Sequence, residues 1–252
     1  MPRFFVRRSQ IENDSVKLFG DDAHHIARSL RMAVGDKITV CDMQGNEYAC
    51  AIIEFEDDKE VTAKIESIKE PENEPPIRIR LFQALPKGDK LDTVIQKAVE
   101  CGASEIIPFE SERCVVRMKP EAEQRKTERR RRIAEEAAKQ CGRSLLPDVK
   151  ETVSFSQMLD MIKNDTLCLF CYEGDGTEPL GKVLAREAKA LLGEEGSSVS
   201  VIIGSEGGFS LNEAEIIKKA GATAVGLGKR ILRTETASGF ILACLVYACE
   251  LQ

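Results

Sequence analysis

A change of hydrophobic period at PENEPP, residues 71–76, divides this chain into two stretches that follow different folding rules. Ahead of it, short strand-like runs come in close succession: RFFVR at 3–7, DKITVCD at 36–42, EYACAIIEFE at 47–56 and EVTAKIESIKE at 60–70. MQGNE supplies a turn between two of them, EFEDDKE at 54–60 reads as a solvated hairpin tip, and DDAHHIARSL at 21–30 reads as a short helix. Strands so closely spaced predict a small β-barrel or sandwich. PENEPP holds three prolines and two acids, and can extend neither a helix nor a central strand. The predicted domains are therefore 1–72 and 73–252.

Beyond the boundary, strand-like runs alternate with helical patterns. The strands are IRLFQAL at 79–85, EIIPF at 105–109, DTLCLFCYE at 165–173, SSVSVIIG at 197–204 and ATAVGLG at 222–228. That alternation predicts an α/β domain with a mainly parallel sheet. In DKLDTVIQKAVECG, Leu91, Val94, Ile95, Ala98 and Val99 follow helical spacing, and Gly102 stands at the C′ position. Pro120 opens a further helix that runs to Gly142. The uncharged 14 residues Thr236 to Cys249 fall short of the roughly 20 that a membrane-spanning helix needs, so they read as a buried helix.

Composition fits a soluble globular protein: 252 residues, 42% apolar, with 36 Lys and Arg against 42 Asp and Glu for a net charge of −6. MPRFFVRRSQ lacks an apolar core behind its charges, so no secretory signal is read and a cytoplasmic location is expected. Nine scattered cysteines read as free thiols, and Cys168 and Cys171, without a second pair nearby, read as strand core rather than a zinc or redox site. No metal is expected. From Arg113 to Arg132 nine cations meet three glutamates, which is either a solvated helix face or a polyanion contact.

Two segments could carry chemistry. In VSVIIGSEGGFSLNEAEIIKKAG, 199–221, a strand ends at Gly204, a glycine loop follows, and Ser210 with Glu213 has capping-box spacing. Paired glycines let a ligand approach the backbone, and Glu206 adds a carboxylate. The spacing is neither G-x-G-x-x-G nor Walker A, and the carboxylate would repel a pyrophosphate, so a cofactor without phosphates is expected. In LGKRILRTETASGF, 227–240, a strand end leads through a basic loop to the apolar helix, which Thr234 or Thr236 can cap. Arg233 and Glu235 stand at its mouth, either as an ion pair holding the loop or as part of a site. Two such loops imply a composite pocket.

IGSEGGFS at 203–210 and LGKRILRTETA at 227–237 resemble the signature loops of SPOUT RNA methyltransferases, and more narrowly those of the ribosomal RNA small subunit methyltransferase E family. The resemblance extends to QALPKGDKLDTVIQKAVECGASEIIPFESERCVV, EEAAKQCGRSLLPDV, MPRFF and DDAHHIARSLRMAVGD, and so covers nearly the whole chain. Ser205 departs from it, standing where that family's loop has proline.

The resemblance implies a PUA-like β-barrel for RNA contact, then a SPOUT α/β domain whose segment 199–252 forms a deep trefoil knot, in a homodimer. It implies methylation of uridine N3 in 16S rRNA of the small subunit, with S-adenosyl-L-methionine as cofactor. Carried over by the motif match, Ile203, Gly204, Glu206, Gly207, Gly208, Leu227, Gly228, Ile231, Leu232 and Arg233 would hold the cofactor. Arg233 would stabilise the deprotonated uracil, while Glu206 and Glu235 are the carboxylates available to accept a proton, Glu206 being equally readable as structural. Candidate RNA contacts are Arg3, Arg7, Arg8, His25, Arg28 and Arg31 in the first domain, and Lys87, Lys90, Arg113, Arg117 and Arg143 in the second. His25 reads as a half-buried helix residue, not a catalyst. Other readings are a SPOUT enzyme acting elsewhere on RNA, such as a 2′-hydroxyl, and an RNA-binding assembly protein without turnover.

Overall fold

A computed structural model describes residues 1–252 as two compact units, Met1–Glu74 with Ala138–Leu146, and Pro75–Ala137 with Pro147–Gln252. The first unit holds strands β1 (Arg3–Phe5), β2 (Ile11–Glu12), β3 (Ser15–Phe19), β4 (Lys37–Cys41), β5 (Glu47–Glu56) and β6 (Glu60–Lys69). They form one sheet in the order β1-β4-β5-β6-β3-β2, antiparallel except for β1 on β4. Alternation places Val16, Leu18, Ile38, Val40, Ile52 and Val61 in its core beside Phe4 and Ile26. The helical stretch expected at 21–30 is α1 (Asp21–His24) followed by one π-helical turn over His25–Ser29. SVKLF, at β3, reads less strongly in sequence because only Val16 and Leu18 of its three apolar residues are buried, the third, Phe19, being exposed.

Segment 138–146 belongs with the first unit through Glu74. Its carboxylate accepts hydrogen bonds from Arg143 Nη2 at 2.6 Å, Ser144 N at 2.7 Å and Leu145 N at 2.9 Å. Nothing in linear order announces that return.

The second unit contains β7 (Arg78–Ala84), α2 (Lys90–Glu100), β8 (Glu105–Glu110), α3 (Pro120–Cys141, whose last residues from Ala138 on belong to the first unit), β9 (Asp148–Val149), β10 (Val153–Ser154) and α4 (Phe155–Met161). It continues with β11 (Leu167–Cys171), β12 (Glu178–Pro179), α5 (Leu180–Gly193), β13 (Ser198–Ile203), α6 (Leu211–Lys219), β14 (Thr223–Gly226) and α7 (Thr234–Glu250). The sheet order is β10-β8-β7-β13-β11-β14-β12, with β9 also on β8, and the pairings are parallel. Strands buried on both faces explain the continuous apolar runs in sequence. α2 buries Leu91, Val94, Ile95, Ala98 and Val99.

α7 corrects one expectation. It packs on α2 and α5, yet buries only one face: Phe240 and Tyr247 are exposed and line an apolar groove of about 880 Å³ with Leu184, Leu192 and Cys244. No helix is long and apolar enough to cross a membrane.

Candidate functional site

Because neighbouring strands are parallel, the carboxyl ends of β7, β13, β11 and β14 share one edge of the sheet, the edge at which open α/β sheets bind ligands. A cavity of about 710 Å³ lies there. The expected cofactor contacts of both loops, from 203 to 208 and from 227 to 233, line it together, although Ile231 is 82% exposed.

Packing and polar contacts hold the loops in place. Phe209 is buried, stacked on Phe109 with centroids 6.3 Å apart and edge-on to Phe170 at 5.0 Å, which anchors the glycine loop in the core. Ser210 caps α6: its Oγ accepts from Glu213 N at 3.2 Å, while Glu213 Oε2 accepts from Ser210 N at 3.0 Å. Glu213 Oε1 also accepts from Glu112 N at 2.7 Å, tying the segment after β8 to the same loop.

The second loop is joined to the first through buried Gln83, at the end of β7. Its amide nitrogen donates to Thr234 Oγ1 at 2.9 Å and to the Gly204 carbonyl at 3.3 Å, and its oxygen accepts from Ser238 Oγ at 2.7 Å. Thr234 Oγ1 donates to the Gly204 carbonyl at 2.6 Å. Neither threonine caps α7, as the sequence had suggested. Arg233 is the N-cap residue, and the Thr234 side chain is turned to the other loop instead.

Glu206 accepts from Lys90 Nζ at 2.8 Å and from Lys87 N at 3.2 and 3.3 Å. Burial pushes its carboxyl upward, but the hydrogen bonds from Lys90, its own backbone N–H and Lys87 outweigh that and leave it below the ordinary glutamate value. Held ionised, it is a weak proton acceptor. Glu235 lies in the first turn of α7, and its Oε2 is buried without a hydrogen-bond partner, 3.6 Å from Lys90 Nζ. Arg113 lines the cavity and donates to the Gly207 carbonyl at 3.2 Å. Arg233 is exposed at the cavity wall.

Several expected RNA contacts are placed otherwise. Arg3 is nearly buried, with Nη1 2.7 Å from Glu47 and 3.0 Å from Cys41 Sγ. Arg143 is 4% exposed and bound to Glu74, in the first unit rather than the second. Both guanidinium groups hold the fold. Arg7, Arg8, Arg28, Arg31, Lys87, Arg113 and Arg117 are exposed. Among these, Arg8 donates to Tyr48 Oη at 3.0 Å, Arg28 pairs with Asp58 at 3.0 Å, and Arg117 reaches the carbonyls of Ser111 and Glu112. His25 is exposed, not half-buried, with its ring edge-on to Phe4. Along α3, Arg130 is buried against Glu123, Arg131 donates to the Val149 carbonyl and Arg129 pairs with Asp92, so part of the basic run is spent internally.

Cys171, Tyr172 and Glu173, at the end of β11, also line the cavity, and sequence reading had not assigned them there. The available signal was the position of FCYEGDG at the carboxyl end of an apolar strand. Burial pushes the Cys168 thiol up to about 12 and that of Cys171 upward as well, so both remain protonated and unreactive.

Comparison with known proteins agrees with this architecture. Residues 73–246 match the model of an RNA methyltransferase domain, and residues 18–69 match that of an RNA methyltransferase PUA domain. The chain is 36% identical to ribosomal RNA small subunit methyltransferase E of Bacillus subtilis, over 100% of this chain and 98% of that protein. Among solved structures, the Neisseria gonorrhoeae ribosomal RNA small subunit methyltransferase E bound to S-adenosyl methionine superposes with a TM-score of 0.83 at 28% identity, covering 99% of this chain and 98% of that one. A Legionella pneumophila methyltransferase in complex with the cofactor SAM gives a TM-score of 0.83 at 28% identity, covering 98% and 97%.

Proposed function

Since the chain belongs to the ribosomal RNA small subunit methyltransferase E family of RNA methyltransferases, we propose that it methylates N3 of a uridine in 16S rRNA of the small subunit, with S-adenosyl-L-methionine as cofactor. The observation that carries this reading is the joining of the two loops into one cavity through Thr234, Gly204 and Gln83.

The cavity suits that cofactor. Gly208 and Gly228 line it at φ +63° and +107°, and at both the place of a Cβ is open, so backbone is offered to a ligand where a side chain would intrude. Ser205, 7% exposed in the cavity wall, has a hydroxyl without a hydrogen-bond partner. Glu206 disfavours phosphates, while Leu227, Ile231 and Leu232 suit the apolar faces of an adenine.

When bound, S-adenosyl-L-methionine supplies an activated methyl group that needs no further activation by the protein. What remains for the chain is to hold two reactants in line and to favour loss of the N3 proton. Arg233 supplies positive charge beside the uracil as that proton leaves to solvent water, and the N3 lone pair it frees forms the bond to the methyl group. Glu206, ionised and engaged by Lys87 and Lys90, keeps the glycine loop in place. The N3 edge is the Watson–Crick edge, so the target uridine must be single-stranded or flipped out.

RNA is held by Arg7, Arg8, Arg28 and Arg31 of the first unit, which acts as a PUA-like barrel, and by Lys87, Arg113 and Arg117 of the second. The segment from 199 onward threads as a trefoil knot, and two copies pair through the apolar groove of α5 and α7, where Phe240 and Tyr247 are exposed. The site of action is the cytoplasm, where ribosomal subunits are assembled. Replacing Arg233 by alanine tests the reading: methylation should fall at least about a hundredfold, the loss expected for one transition-state donor, while RNA affinity is kept. Unchanged product formation would remove Arg233 from the mechanism, and loss of RNA binding alone would favour a binding protein.

A further inference from the structure

Lys90 stands in the first turn of α2 and lines the cavity. Its Nζ lies 2.8 Å from Glu206 Oε1, in the glycine loop, and 3.6 Å from Glu235 Oε2, in the first turn of α7. The two carboxylates are anchored on different loops, and Lys90 is the ammonium that meets both. Without a cation, two carboxylates facing one point repel each other and disfavour their ionised forms. Buried Glu235 Oε2 has no hydrogen-bond donor, which leaves Lys90 as its electrostatic partner.

We infer that Lys90 is a positioning residue, whose ammonium holds the carboxylates of Glu206 and Glu235 together and thereby fixes both loops in the arrangement that receives the cofactor, rather than meeting RNA phosphate. The inference rests on the cofactor reading of the cavity. The Lys90 side chain is about a third exposed, so its ion pairs contribute little to global stability. Their consequence lies in loop geometry and in the ionisation of Glu206. Arg113, Glu173, Lys229, Arg230 and Arg233 line the same cavity, and Lys87, Asp89 and Asp92 flank Lys90 on its own segment, Asp92 being engaged by Arg129 of α3. Among these, Lys90 and the Lys87 backbone are the groups that bond Glu206.

The test is S-adenosyl-L-methionine binding by the full chain, followed by calorimetry from about pH 4 to 8, for the wild type, K90M, K90R and E206Q. In the wild type, Glu206 stays ionised to low pH, so affinity should persist through the mildly acidic range. In K90M the lowering contact with Lys90 is gone, and burial of Glu206 is opposed only by the backbone N–H groups of Glu206 and Lys87. Affinity should fall about tenfold and its acid limb should move to higher pH. K90R should stay within about threefold of wild type with the limb in place, because it restores the charge. E206Q should bind weakly with no acid limb of its own.

Three results would overturn the inference. One is K90M binding with wild-type affinity and pH profile. Another is equal loss in K90M and K90R with an unmoved limb, which would mean packing alone. The third is unchanged cofactor binding with an RNA salt dependence reduced by about one phosphate contact, which would make Lys90 an RNA ligand. If the wild type itself fails to bind S-adenosyl-L-methionine, the cofactor reading fails first, so the two failures are told apart.

Discussion

The hydroxyl of Thr234 lies 2.6 Å from the carbonyl oxygen of Gly204, so the first residue of α7 is fastened to the end of β13. Two loops that are separate in sequence therefore make one wall. Replacing Thr234 by valine keeps the shape and removes the donor, leaving Gly204 with the longer bond from Gln83 at 3.3 Å. Urea unfolding should show a loss of about 0.5–1.5 kcal/mol, the usual net contribution of one hydrogen bond, and T234S should recover most of it.

Phe209 is the apolar counterpart of that fastening. Wedged between Phe109 and Phe170, it should cost about 3–5 kcal/mol on replacement by alanine, as truncated core aromatics do. Chemical denaturation measures this directly. A loss below about 1 kcal/mol would mean that the glycine loop is not anchored through this ring.

Glu123 gives the fold a defined acid sensitivity. It is 6% exposed and accepts from Thr152 N at 2.8 Å, Thr152 Oγ1 at 2.6 Å and Arg130 Nη1 at 3.0 Å. Burial raises its carboxyl, but these bonds prevail and hold it below the ordinary value. A carboxyl lowered in the folded state contributes stability above its unfolded value of about 4.5, and that contribution is lost as pH falls through the folded value. Stability measured from pH 7 downward should therefore be flat to about pH 5 and decline below it, with a smaller decline in E123Q.

Arg3 and Arg143 should behave as structural residues. R3A and R143A leave Glu47 and Glu74 without their cations, and each should cost about 3 kcal/mol, at the low end for a broken buried pair. R7A and R31A, at exposed positions, should leave stability within about 0.5 kcal/mol while each lowers the salt slope of RNA binding by about one contact. Filter binding across a salt series and thermal unfolding separate the two classes.

Much of the second unit was legible because its signals are local. The periodicity of α2, the capping box Ser210–Glu213 and the strand runs ending at Gly204 and Gly228 each depend on neighbours in sequence. What stayed hidden depends on contacts between distant residues. Arg3 and Arg143 look like any basic surface residues until Glu47 and Glu74 are found beside them. Lys90 reads as a phosphate contact until two carboxylates from later loops are brought to it. Thr234 has the residue type and position of a helix cap, but a carbonyl 30 positions earlier takes its hydroxyl. The exposed apolar face of α7 was hidden for a different reason: a helix apolar on all sides looks the same in sequence whether its second face meets a core or an open groove.

The most direct measurement is a methylation assay. The purified protein is incubated with methyl-labelled S-adenosyl-L-methionine and small ribosomal subunits lacking modification, and the digested RNA is analysed by mass spectrometry. The account predicts label in 3-methyluridine. Label confined to another nucleoside, or none at all from protein that binds the cofactor, would contradict it.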